Sequence, residues 1–356
     1  MNRIVICGNI IVDSVKVIAE WPRTGMLVPI SSVRKAVGGA VCNVGIDLKR
    51  LDPTLDVQAC GMVGDDGDGA FALGTMKSAG IDCRRVAVRA GVATSFTDVM
   101  TLAATGERTF FNLHGADSAL VPEDIDVPGL GCDIFHLGYL LLLDGMDAPD
   151  DDYGTKAARL LAAVQSAGIR TSIIGSCIHL SLSKNPSRAV QSAGIRTSVD
   201  VVSEQSDRFA RVMRPALRYC DYLIVNEVEA SAATGVSVDD MRGLCEGLMD
   251  MGVRRKVVVH CPDCGAALDD EGRYVEVPSL DLPPGWIKGT VGAGDAFCAG
   301  MLHSFLKDLS MDEGLRLASC EAAANLSVAD ATSGARSYEE TMVLEKMFQR
   351  KEVKRV

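Results

Sequence analysis

The chain has 356 residues, 47% hydrophobic and 23% charged, a globular composition that excludes a disordered, collagen-like or low-complexity protein. At ~150 residues per domain the length allows two or three domains or a single large α/β domain. Against 47 Asp and Glu stand 36 Lys and Arg, a formal charge of −11, the opposite of the footprint of a nucleic-acid binder.

The twelve cysteines are scattered through apolar stretches and read as the reduced thiols of a cytoplasmic protein. The opening apolar run, Arg3 to Val12, closes on Asp13. It is too short to span a membrane and carries no small-residue cleavage pattern, so a buried first strand is expected and no membrane partner.

Strands are predicted along the chain at Ile4–Cys7, Val57–Met62, Ile134–Leu137, Tyr222–Val225 and Lys256–His260, each largely apolar on both faces as in a parallel sheet. Helical patterns fall between and after them, at Gly39–Leu51, Gly67–Ala79, Tyr153–Ser166, Asp239–Met251, Ala293–Leu306 and Met311–Val328. This alternation predicts one α/β domain over 1–356 with helices on both faces of a mainly parallel sheet. Two segments interrupt it, 14–34 and 93–113, the second reading as a hairpin that turns at Thr105-Gly106. Neither supplies a helix, so the two are expected to pair as a small β-sheet lid.

Ala163 to Ser172 recurs unchanged as Ala189 to Ser198, an offset of 26 residues. One unaltered copy is not a solenoid repeat; it marks a recent tandem duplication or an error in the deduced sequence. The alternation needs one strand here. About one copy's length within 163–198 is therefore expected to be extruded as a surface loop, an extra edge strand being the alternative.

Three stretches carry candidate chemistry. Gly292-Ala293-Gly294-Asp295 opens a helix whose exposed amides suit a phosphate, and Asp295 in the first turn suits a base that takes a proton from an attacking hydroxyl. Read locally, the same run is a glycine turn whose Asp caps a helix. Gly38-Gly39, with Asn43 four residues on and Asp13 before them, offers close backbone approach plus an acceptor and an amide for sugar hydroxyls. Asn226 and Glu229 follow a strand end, where they either orient Mg2+-bound water or form a capping box.

Taken in order, Gly8 to Asp13, Gly38-Gly39 with Asn43, Val63 to Gly69, Asn226 to Glu229 and Gly292 to Asp295 resemble the ribokinase-like, phosphofructokinase-B carbohydrate kinases over nearly the whole chain. The resemblance implies a three-layer α/β/α domain with a β lid, ATP and Mg2+ as cosubstrates, and transfer of the γ-phosphoryl of ATP to a hydroxyl of a small sugar. It places Asp295 as catalytic base and Gly292, Ala293 and Gly294 as the anion hole for the ATP phosphates. It places Asp13, Gly38, Gly39 and Asn43 at the sugar, and Asn226 and Glu229 at the Mg2+ and phosphates. In this family lid strands often pair across a homodimer, which would make Thr94–Leu113 an interface; a solvated hairpin is equally consistent.

Two departures stand out. Gly289 replaces an Asp that helps hold a monovalent cation in this family, which puts K+ activation in question. The nucleotide loop reads His260-Cys261-Pro262-Asp263-Cys264-Gly265 and keeps only its last glycine, Gly265. Cys261 and Cys264 invite a zinc or redox reading, but no second Cys or His pair accompanies them, and a structural zinc wants four ligands. His114 and His136 read as a lid residue and a core-strand residue. The alternatives to a sugar kinase are an adenosine-like nucleoside kinase and a non-catalytic sugar or nucleoside sensor.

Overall fold

The computed structural model describes residues 2–167, 194–202 and 208–352. Its main sheet has nine strands. Seven of them pair in parallel in the order β5 (Asp82–Arg89), β4 (Asp56–Gly64), β1 (Arg3–Cys7), β8 (Ile134–Leu140), β9 (Arg196–Val201), β10 (Tyr222–Asn226) and β11 (Lys256–His260). β12 (Cys264–Asp269) and β13 (Tyr274–Pro278) extend the sheet antiparallel beyond β11.

Strand alternation divides the core between two faces. Ile4, Ile6, Val57, Ile224 and Val258 point to one face, where α1 (Ala40–Leu51), α2 (Gly67–Ser78), α7 (Ala293–Leu306) and α8 (Met311–Asn325) cover them. Val5, Cys7, Phe135, Val225 and Val259 point to the other, beneath α3 (Lys156–Ala167), α4 (Arg208–Leu217), α5 (Glu227–Thr234) and α6 (Met241–Asp250). The result is the expected three layers. α9 (Tyr338–Met347) packs on α8 through Leu344 and Cys320.

The two interrupting segments do form a separate four-stranded sheet, in the order β3 (Ile30–Gly38), β2 (Ile11–Ile18), β6 (Phe96–Leu102) and β7 (Arg108–Leu113). The first lid segment is longer than the expected 14–34. The chain leaves the main sheet after Cys7, so Ile11, Val12 and Asp13 already belong to β2, where Asp13 pairs with Ala36 and Thr97. Asp66, the N-cap of α2, anchors the second segment by accepting from the amide and hydroxyl of Thr94 at 2.8 and 2.7 Å.

The decapeptide copies serve different elements. Ala163 to Ala167 end α3 in the first copy, while Arg196 to Ser198 begin β9 in the second. The expected extruded loop lies outside the described residues. The flanks meet directly: a Cβ on Gly194 would lie 3.3 Å from the Gln165 carbonyl oxygen. Read across that junction, the described chain spells a single copy of the decapeptide.

Candidate active site

The carboxyl ends of β1, β8, β9, β10 and β11 face the start of α7, the edge of an open α/β sheet at which ligands gather. Gly292 caps α7 with φ at +78°, and a Cβ there would stand 2.5 Å from the Ala331 carbonyl oxygen, so only glycine fits. The first-turn amides of an α-helix have no intrahelical partner, and the helix dipole adds to their pull on an anion.

Asp295, in that first turn, is 6% exposed. Asn43 Nδ2 donates to its Oδ2 at 2.9 Å, and the Tyr139 hydroxyl reaches both carboxylate oxygens at 2.9 Å. Burial pushes the Asp295 carboxyl up to about 7, with the negative charge of Asp200 adding to the rise and the bonds from Asn43 and Tyr139 opposing it. Such a group gains a proton readily at neutral pH, which suits general-base work. Burial, followed by Asp295, Asp200 and Asp13, holds Tyr139 well above its usual range, so Tyr139 stays a proton donor.

On the sugar side Gly39 begins α1 with φ at +82°, lying so close to the Asn9 carbonyl that a side chain would collide. Gly38 backs onto Asp13, whose Oδ2 would be 2.7 Å from a Cβ at that position. Burial lifts the Asp13 carboxyl to about 6 against the pull of Thr97 and Arg108. Asn43 Oδ1 is buried without a partner among the described residues, an acceptor that a ligand hydroxyl would satisfy. Two lid arginines reach the loop facing this space: Arg108 Nη2 donates to the Ala329 carbonyl at 2.9 Å, and Arg34 lies 3.5 Å from Asp330.

Asn226 and Glu229 form the capping box read as the local alternative, with mutual backbone bonds of 2.8 and 2.9 Å. They also line a cavity of about 220 Å³ with Tyr139, Asp200, Gly294 and Asp295. The two roles are compatible, because a carboxylate or amide oxygen in a cap keeps lone pairs for magnesium-bound water. A cleft of about 570 Å³ adjoins this cavity and shares Asn226, His260 and Gly294 with it; Ala293, Phe297, Leu280 and Leu326 also wall it.

Gly265 does not line that cleft as a loop residue. It lies inside β12 opposite His260, where a Cβ would be 3.0 Å from the Phe297 ring, because the hairpin turns earlier, at Pro262-Asp263. The loop presents His260, Cys261 and Pro262 instead. Gly289 is pressed against Val328 and Ala329, both 3.1 Å from where a side chain would begin. His114 bonds Asp144 at 3.0 Å, and His136 is fully buried on β8, 3.1 Å from the Ser198 hydroxyl.

Sequence reading missed Tyr139 and Asp200, both central to the site. Asp200 Oδ1 accepts from the Tyr139 amide at 2.6 Å and Oδ2 lies 3.6 Å from His136 Nε2. With Cys298, His136 and Asp200 form a buried group whose donor atoms lie within 4.8 Å of one another. The available signal was position alone: each of Tyr139 and Asp200 sits at the carboxyl end of a parallel strand.

The pfkB family carbohydrate kinase model matches residues 1–177 and 180–337. An ATP-dependent ribose-1-phosphate kinase from Halopiger xanaduensis is 25% identical over 89% of this chain and 90% of its own length. Fructokinase-1 of Zea mays is 26% identical over 85% and 83%. The structure of Arabidopsis thaliana ribokinase complexed with ribose and ATP superposes with a TM-score of 0.75 at 18% identity, covering 96% of this chain and 98% of that one. The family match spans nearly the whole chain and agrees with the three layers, the lid and the head of α7: the chain belongs to the pfkB family of carbohydrate kinases.

Proposed function

We propose that this carbohydrate kinase transfers the γ-phosphoryl of ATP to a hydroxyl of a small sugar, with Asp295 as the general base. The observation that carries the reading is the position of Asp295: buried, lifted to about 7, and set beside the open amides of α7 between the sugar-side residues and the larger cleft. Ribose with ATP in the superposed ribokinase, and the sugar substrates named for the relatives, support the same class.

In this reading the nucleotide lies in the 570 Å³ cleft with its terminal phosphates at the amides of Gly292, Ala293 and Gly294. Asn226 and Glu229 would hold Mg2+ through water; the ion neutralises charge on the phosphates. Asp13 and Asn43 bind sugar hydroxyls, and Gly38 and Gly39 let the ligand approach the backbone. Asn43 also orients the Asp295 carboxylate toward the reacting hydroxyl, and Asp295 takes its proton as the phosphoryl group transfers. The lid excludes water while this happens.

ATP consumption against a panel of pentoses, hexoses, sugar phosphates and nucleosides tests the proposal. Turnover with a sugar is expected. Turnover with a nucleoside alone would move the chain to the nucleoside kinase reading, and binding without turnover would make it a sensor. Among the described residues no helix is long and apolar enough to cross a membrane. The homodimer belongs to the same proposal. It is supported by the lid's apolar exposure, with Leu27 90%, Met26 70% and Phe110 57% exposed. Light scattering should give twice the monomer mass for the native chain and the monomer mass for Leu27→Glu.

A further inference from the structure

The β11–β12 hairpin carries Cys261 and Cys264 on either side of the Pro262-Asp263 turn, and the Cys261 amide donates to the Cys264 carbonyl at 2.9 Å. Their sulfurs face each other at 3.7 Å, and the Cys264 amide donates to Cys261 Sγ at 3.3 Å. Among the described cysteines Cys261 alone is partly exposed, and it lines the larger cleft, whereas Cys264 is buried behind it. Neither is joined by a further metal-ligating side chain: among the described residues the metal-competent group is His136, Asp200 and Cys298. The bond to the Cys264 thiol, with help from the Asp263 and Cys264 amides, holds Cys261 below the usual thiol range, while the same bond and burial push Cys264 up. That shift favours the thiolate at Cys261, the form that attacks a disulfide.

We propose that Cys261 and Cys264 are an oxidisable dithiol whose redox state sets how well the adjoining cleft takes its nucleotide. This rests on reading that cleft as the ATP site. The oxidant is a low-molecular-weight disulfide such as oxidised glutathione. The Cys261 thiolate attacks one glutathione sulfur and expels a glutathione thiolate. Cys264, losing its proton, then attacks the Cys261 sulfur of the mixed disulfide and expels the second glutathione. Two protein thiols lose two electrons and two protons, and one glutathione disulfide becomes two thiols.

Closing the bond draws the sulfurs in from 3.7 Å and so moves the hairpin tip. Pro262 walls the cleft, and the Pro262 carbonyl and Asp263 carboxylate hold Lys351, another wall residue, at 3.0 and 2.8 Å. A displacement of about an ångström at a binding wall is enough to weaken a ligand's fit. Nucleotide bound in the cleft would in turn cover Cys261 and slow its attack.

The test treats the reduced full chain with oxidised glutathione, maps disulfides by peptide mass, and measures KM for ATP at saturating sugar. A Cys261–Cys264 disulfide is expected, with KM for ATP raised about fivefold or more, reversal by dithiothreitol, and slower bond formation when ADP is present. Cys264→Ser should stop at a glutathione adduct on Cys261. Absence of the 261–264 bond, or its formation with an unchanged KM, overturns the inference. If the reduced enzyme neither binds nor turns over ATP, the kinase reading fails instead, and the mass map still reports the dithiol.

Discussion

On the side of Asp295 toward the β11–β12 hairpin, the cleft is about 570 Å³ and is walled by strand ends, α7, α8 and largely apolar side chains. On the side toward the lid, the space beside Asp13 is about 20 Å³ and is closed by Arg34, Arg108, Phe110 and Val99 from β3, β6 and β7. The first wall belongs to the three-layer body, whose elements pack on two cores. The second is a thin sheet resting on the loop around Ala329 and Asp330. In the proposed function the roomy half takes the nucleotide, and the close-fitting half made of lid side chains selects the sugar. Asp295 lines the smaller cavity that adjoins the roomy cleft, and in the proposed function it is the base that acts between the two halves.

The most severe way to break this division is at the boundary. Asp295→Asn keeps the side chain's shape and one of the two oxygens that accept from Asn43 and Tyr139, but removes the base; kcat should fall about a thousandfold, with sugar and ATP affinity measured by calorimetry nearly unchanged. Activity above a tenth of the parent would rule out the base. The next effect is on pH. With Asp295 lifted to about 7, the base is ionised above that pH and protonated below it, so kcat/KM should fall tenfold per pH unit on the acid side of 7. Asp200→Asn removes a charge that raises Asp295 and should move this limb to lower pH; an unmoved limb would detach it from Asp295.

Arg108→Ala sharpens the comparison from the lid side. Losing its bond to the Ala329 carbonyl and its charge beside Asp13 should raise KM for the sugar about tenfold while leaving KM for ATP within twofold. Equal changes in both would mean that the lid serves the two halves alike. The smallest effect is expected far from both. Deleting 168–193 joins Ala167 to Gly194 and leaves one decapeptide copy between α3 and β9; kinetic constants should stay within twofold and the melting temperature should hold or rise, because a shorter connection costs less closure entropy. Loss of soluble, folded protein would show that both copies are required.

Asp13, Asn43, Asp295 and the glycine runs could be read from the sequence because each sits in a short motif whose purpose is local: a helix start, a close backbone approach, a carboxylate in a first turn. Tyr139 and Asp200 were not readable that way, since each gains meaning only when β8 and β9 lie side by side. The strand carrying Asp200 also starts inside the duplicated stretch, which obscured the alternation. β5, with Asp82, Arg84, Arg85 and Arg89, is an edge strand too charged to show the apolar pattern of its buried neighbours. α4 contains Pro215, a residue that reads as a helix breaker. Gly265, read as a loop residue, lies in β12 because the hairpin turns at Pro262-Asp263.

The junction between Gln165 and Gly194 lies at the amino end of β9, the opposite rim of the sheet from Asp200 and the phosphate-facing amides. An insertion at this rim enters the chain away from Asp200 and the α7 amides, whereas one at the opposite rim would enter among them. The same asymmetry offers engineers a grafting port: a fluorescent reporter or affinity peptide inserted between α3 and β9 would ride on the enzyme without entering its chemistry.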